Sequence, residues 1–394
     1  MKILVTLIYV AFLAPHLYAS DCLVSDNREL HDLYEHLRVY QMADGAAFGQ
    51  AYTYFSGILP NGQVWTVTDE NFDRSDIQTL VGQHAAYTGW DFYDIFRWNT
   101  DLCRNQIIRA YSIGMFSIFS FHMNNPVTGG NYLDTQLDIE SILPEGEYNE
   151  ALKRELDRVA DFFLSLKDEN GNFIPVIFRP WHEMTGNWFW WGRGNADPEL
   201  FSRLWQYTVK YLRDERNVPN LLFAFSTDRA SDKEYYLEYW PGDEWVDICG
   251  IDVWLFDDVP ADSYIEDLKA CISVAQEKNK IAALTEIGTF GKRRTPVSGI
   301  NDTDIPAWWT SRVLEPLRQN DLFSQIAFIY GWANWGTYQY HVPYPGSPQA
   351  DTFKLFLEAP EILLLGDEII LEDNDPGLES EPEPDPESEL EPQP

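Results

Sequence analysis

Positive charge is scarce in this chain. Lys and Arg number 28 against 63 Asp and Glu, giving a formal net charge of -35 over 394 residues. Such a surface repels phosphate backbones and anionic headgroups, which argues against nucleic acid and membrane partners. Cysteine is also scarce. The four residues Cys22, Cys103, Cys249 and Cys271 are too few for a disulfide scaffold. Cys249 falls in an apolar strand-like run and Cys271 in a helical pattern, so both suit buried thiols, and Cys22 with Cys103 is the preferred pair. Long apolar runs are absent after the first residues. The one such run, Ile3–Ala14, is too short to span a bilayer. With Lys2 before it and Leu17-Tyr18-Ala19 after it, the segment 1–20 reads as a signal peptide, and the mature chain is expected to be secreted and extracellular. One glycosylation sequon occurs, Asn301-Asp302-Thr303.

Apolar residues, by contrast, make up 45% of the chain, enough for a sizeable core. Ten of the acids lie in Glu372–Pro394, where they alternate with proline and meet no Lys or Arg. That tail, 372–394, cannot bury apolar area and reads as disordered. Between the two ends, apolar strand-like runs alternate with amphipathic helical stretches. The strand candidates are Tyr52–Gly57, Ala85–Gly89, Met115–Phe121, Ile174–Arg179, Leu221–Ser226, Ile248–Val253, Ile281–Glu286 and Ile326–Trp332. Helical stretches include one opened by Pro198, one from about Asn149 and one carrying Ile265, Leu268 and Ile272. Eight strands with helices between them predict an α/β fold, a single (β/α)8 TIM barrel over 21–371.

Barrel enzymes carry their sites at the C-terminal ends of the strands. The fourth candidate strand ends in Phe178-Arg179-Pro180-Trp181-His182-Glu183-Met184, and the seventh in Leu284-Thr285-Glu286-Ile287-Gly288. Strands four and seven face each other across the mouth of such a barrel. Two carboxylates so placed suit glycoside hydrolysis with retention, where one acts as acid and then base and the other as nucleophile, about 5–5.5 Å apart. A lone strand-end Glu among 63 acids would more often be a salt-bridge partner. Aromatics shift that balance. The run Trp188-Phe189-Trp190-Trp191 follows Glu183, and Tyr330-Gly331-Trp332-Ala333-Asn334-Trp335 closes strand eight. Indole presents a flat apolar plate with one N–H, which suits the C–H faces of sugar rings.

The string RPWHEMTGNWFWWG, Arg179–Gly192, resembles the acid/base signature of glycoside hydrolase family 26, whose best-known members are endo-β-1,4-mannanases. FGQ at Phe48–Gln50, GWDF at Gly89–Phe92, FHMNNP at Phe121–Pro126, GID at Gly250–Asp252, TEIG at Thr285–Gly288 and WAN at Trp332–Asn334 fall in the same order as in that family. The likeness covers most of residues 26–360. It implies Glu183 as acid/base and Glu286 as nucleophile. It further implies sugar contacts for His122, His182 and Asp252, with Trp188 the platform on the leaving-group side and Trp332 the floor on the other. Where the family usually has a Tyr whose hydroxyl meets the nucleophile, this chain has Trp254, placed among the substrate-binding residues; its indole N–H is expected to reach Glu286 instead, with stacking on the sugar as the alternative.

The implied substrate is β-mannan of plant type, or its oligosaccharides, handled by a monomer. Hydrolysis of mixed-linkage β-glucan or β-1,3-xylan is the alternative within the family, and a non-catalytic polysaccharide-binding barrel the alternative outside enzymes. No metal is expected, because His182-Glu183-Met184 lacks a second His at helical spacing; no phosphate-cradling glycine loop points to any other cofactor.

Overall fold

Eight strands, β1 (Ala46–Ala51), β2 (Tyr87–Asp91), β3 (Phe116–Ser120), β4 (Val176–Arg179), β5 (Leu221–Thr227), β6 (Ile248–Phe256), β7 (Ile281–Gly291) and β8 (Phe328–Gly331), pair in parallel with their sequence neighbours. Pairing of β8 with β1, Ala47 opposite Phe328 through Gln50 opposite Gly331, closes the sheet into a barrel. The computed structural model describes residues 27–68, 73–292, 298–367 and 369. The expected signal peptide and acidic tail lie outside those residues. Among the described residues no helix is long and apolar enough to cross a membrane.

Almost every strand residue is buried, as expected for parallel strands covered by helices on one face and packed on themselves at the other. The helices begin where cap chemistry allows. Asn27 accepts from the backbone N–H groups of Glu29 and Leu30 to open α1 (Arg28–Met42). α2 (Asn149–Ser165) follows β3 and buries Leu152, Leu156, Val159 and Phe163. Asp197 caps α3 (Pro198–Lys210), whose first position is Pro198. α4 (Ile265–Glu277) lies between β6 and β7.

Seven of the expected strands overlap the observed ones, but the first does not. Residues Ala46–Ala51 form β1, while the aromatic stretch Tyr52–Gly57 turns away into a short hairpin, Ser56–Ile58 against Val64–Thr66. Small residues fill β1 because large ones from its neighbours occupy the barrel interior; a Cβ on Gly49 would lie 2.5 Å from the Tyr87 ring. Gly89 in β2 has the same cause, since the Tyr330 ring crosses to it from β8.

The expected Cys22–Cys103 pairing involves a residue outside the described ones. Cys103 is a buried free thiol, as are Cys249 and Cys271, and Cys22 lies outside the described residues.

Candidate active site

Arg179, the last residue of β4, organises the mouth of the barrel. It is fully buried, and its Nη2 donates to Glu286 Oε2 at 2.6 Å while Nη1 donates to Asp252 Oδ2 at 2.5 Å. An irregularity in β7 makes this arrangement possible. Ile251 of β6 lies opposite Leu284, but Asp252 lies opposite Glu286, so Thr285 is the extra residue of a β-bulge that re-aims the glutamate. The Thr285 hydroxyl then donates to Asp252 Oδ1 at 2.7 Å, and the Ser226 hydroxyl to Oδ2 at 2.9 Å. Asp252 has no exposure left for a sugar. It holds Arg179, rather than making the substrate contact expected of it.

Beyond Arg179 the chain leaves the strand along a strained path. Trp181 and Glu183 both adopt left-handed backbone, φ 51° and 54°, where non-glycine residues cost about 1–3 kcal/mol each. Buried indoles hold them there. Trp181 donates to Thr208 Oγ1 at 3.0 Å, Trp190 to the Met123 carbonyl at 2.9 Å, and Trp191 to the His182 carbonyl at 2.9 Å. Of the aromatic run after Glu183, Trp190 and Trp191 are therefore braces; Trp188, 39% exposed, is the indole that faces solvent.

Two indole N–H groups clamp the Glu183 carboxylate, Trp188 on Oε2 at 2.8 Å and Trp254 on Oε1 at 3.1 Å. Trp254 thus serves the candidate acid/base and not the candidate nucleophile, a correction to the sequence-based expectation. Its ring is fixed in place, stacked on Phe290 at 4.6 Å with the His341 ring edge-on at 5.1 Å. Gly288 lies beneath it, where a Cβ would come within 2.6 Å of the indole. Arg179 does for Glu286 what the indole was expected to do.

A second buried group flanks the glutamates. Asp91, at the end of β2, accepts from the Ser120 hydroxyl and meets His122 Nδ1, both at 2.6 Å; His122 Nε2 in turn lies 3.2 Å from His182 Nε2. Trp332 sits against His122 and Trp254, with ring centroids 5.9 and 6.4 Å away. The structure thus gathers Glu183, Glu286, His122, His182, Trp188, Trp254 and Trp332 at one mouth, with Asp252 behind them. Arg179 and Asp91 carried no role in the sequence reading, though both stood inside quoted motifs. An arginine ending an apolar strand was the missed signal, since burial there demands acidic partners.

Burial sets the electrostatics. The Glu183 carboxyl is pushed well above the carboxylate range by burial first, then by the charges of Glu286, Asp252 and Asp228, against the pull of Arg179. Burial raises Glu286 to about 7 while Arg179 pulls it down, so of the two glutamates Glu286 ionises first. Burial likewise disfavours charge on His122, but contact with Asp91 more than offsets this and raises its pKa. His182 is held well below the ordinary imidazole range by burial, Arg179 and His122, and is neutral. Among the described residues no group of three His, Cys, Asp or Glu is arranged to hold a metal ion.

Residues 36–302 match the sequence model of Glycosyl hydrolase family 26. The chain belongs to this family. A mannan endo-1,4-β-mannosidase of Bifidobacterium adolescentis is 33% identical over 337 residues, 78% of this chain and 33% of that protein. The chain thus spans about a third of that relative. Among solved structures, a modular endo-β-1,4-mannanase from Cellulomonas fimi is 28% identical with a TM-score of 0.76, covering 89% of this chain and 80% of that one. A GH26 β-mannanase from Bacteroides ovatus is 31% identical with a TM-score of 0.74, covering 87% and 96%.

Replacing Trp254 by Phe tests the clamp. Its N–H stabilises Glu183 only when that carboxylate is ionised, so removing it raises the Glu183 pKa further. The alkaline limb of the pH profile is expected to move up by about one unit or more, the equivalent of a charge-assisted hydrogen bond of about 1.5–3 kcal/mol. An unchanged alkaline limb, measured on manno-oligosaccharides, would show that the bond does not set this pKa.

Proposed function

We propose that this family 26 protein is a secreted endo-β-1,4-mannanase that hydrolyses its substrate with retention of configuration. The observation that carries the chemistry is the unequal setting of two buried glutamates at one barrel mouth. Glu286 is bound by a guanidinium and ionises first, which suits a nucleophile. Glu183 is buried among carboxylates and keeps its proton to higher pH, which suits a general acid.

In the first step a Glu286 oxygen attacks the anomeric carbon of the sugar. The bond from that carbon to the leaving oxygen breaks, and the Glu183 proton goes to the leaving oxygen. In the second step water gives its proton to Glu183 and attacks the same carbon, and the bond to Glu286 breaks. During this second step Glu183 begins as a carboxylate, the form that its two indole donors match. Arg179 accompanies Glu286 throughout, stabilising the carboxylate released at the end. Trp188 and Trp332 are assigned to stacking on the leaving-group sugar and on the sugar being transferred, and His122 and His182 to that second sugar's hydroxyls.

The substrate assignment draws on the relatives, whose names specify β-1,4-mannan. Residues 1–20 support secretion, with a positive residue, an apolar run and a small residue in signal-peptide order. Incubation with mannan, galactomannan, mixed-linkage glucan and β-1,3-xylan tests the reading. Rapid loss of mannan viscosity with release of short manno-oligosaccharides is expected. Cleavage of the glucan or the xylan alone, or binding of mannan with no products, would contradict it.

A further inference from the structure

A cavity of about 300 Å³ opens beside the candidate active site, between the segment after β2, the segment after β3 and helix α2. His122 lines it and also belongs to the catalytic mouth, so the two spaces share a wall. Tyr132 packs on that wall, its ring 4.8 Å from His122 and 5.3 Å from Tyr93. The buried rings of Phe92 and Phe121 line the cavity. Polar groups stand around the opening. Arg158 is already committed, paired with Glu155 at 2.7 Å and lying over Phe96 at 4.0 Å. Arg97 is not: it lies exposed over the Tyr93 ring at 4.5 Å and makes no ion pair among the described residues. Exposed Asn124 adds an amide that can both donate and accept.

From this arrangement we infer a subsite that takes one terminal hexopyranosyl residue of the substrate. This rests on the reading of the mouth as a polysaccharide hydrolase. The size falls at the lower end of ligand sites, roughly 300–1,000 Å³, which suits one ring and not a run of them. An aromatic inner wall matches the C–H face of a pyranose, and the guanidinium and amide at the opening match its hydroxyls. A polysaccharide main chain needs a groove several rings long, whereas a cavity of about 300 Å³ takes one ring, which a chain end supplies. Two sources supply such an end: a one-sugar branch on the main chain, or the non-reducing terminus of the main chain itself.

Wild type, Arg97→Ala and Asn124→Ala would be assayed on an activated aryl β-mannoside, a linear manno-oligosaccharide and the same backbone carrying single galactosyl branches. For each variant the ratio of oligosaccharide to aryl mannoside kcat/KM is expected to fall roughly tenfold, through KM, on the branched oligosaccharide alone or on both. A fall confined to the branched compound identifies a branch, and a fall on both, which share the same non-reducing end, identifies the chain terminus. Ratios equal to wild type on both would overturn the subsite. So would a crystal structure of Glu286→Ala, soaked with either oligosaccharide, showing no sugar in the cavity. Wild type inactive on linear mannan would instead contradict the mannanase reading, and the inference with it.

Discussion

Glu286→Ala is expected to lower turnover of mannan by on the order of 10⁵- to 10⁶-fold, the scale of loss when the nucleophile of a covalent mechanism is deleted. Oligosaccharide binding should remain measurable, because Trp188, Trp332 and His122 lie outside the change. Glu183→Ala has a different signature. On polymer, both steps slow, since the leaving oxygen receives no proton and the water loses its base. On an activated aryl mannoside the first step needs little acid help, so the glycosyl-enzyme should form and accumulate, seen as a burst of aryl alcohol followed by slow turnover. Equal losses on polymer and activated substrate would show that the two glutamates do not have separate roles.

Arg179→Met is expected to give the largest loss of stability in the barrel. It removes one cation from between two fully buried carboxylates, and breaking a buried pair costs about 3–5 kcal/mol. A fall in Tm on the order of 5–10 °C should accompany it. The pH dependence identifies the cause. Without the guanidinium, the pKa values of Glu286 and Asp252 rise further above those of the unfolded chain. Carboxyls raised in this way favour the folded state at low pH and cost stability as pH rises through the folded-state values. The deficit relative to wild type should therefore shrink in acid and grow towards neutral and alkaline pH. A deficit independent of pH would mean that lost packing, and not unpaired charge, explains it. Loss of activity should exceed what the remaining folded fraction accounts for, because Glu286 would then ionise only at higher pH.

How much of this was legible beforehand differs from element to element. Seven strands announced themselves because parallel strands buried on both faces are continuous apolar runs. The eighth, β1, hid behind its small residues Ala46, Ala47, Gly49 and Ala51, with Gly49 leaving room for the ring of Tyr87 on the adjacent strand β2. A stretch richer in aromatics just after it drew the assignment instead. The candidate catalytic pair was readable because each glutamate ends an apolar run.

Its support was not readable in full. No sequence pattern shows that Thr285 is a bulge, yet the bulge is what sets Glu286 level with Asp252 and puts both on Arg179. Trp254 was recognised as a departure from the family's usual tyrosine, but its partner was misassigned. A phenol and an indole in the same position end at different points, and the longer ring, braced between Phe290 and His341, delivers its N–H to Glu183. Exposure also separated residues that composition could not: in Trp188-Phe189-Trp190-Trp191, only the first indole reaches solvent, and the others stiffen the backbone that carries the acid.

Identification of the residue that becomes bonded to the sugar tests the central assignment most directly. A 2-deoxy-2-fluoro mannosyl donor with a good leaving group slows hydrolysis of the glycosyl-enzyme and lets it accumulate. Mass mapping of the trapped protein is expected to find one sugar on the peptide containing Glu286, with none on that of Glu183. A label on Glu183, or inversion at the anomeric carbon of the first product without any covalent adduct, would contradict the account.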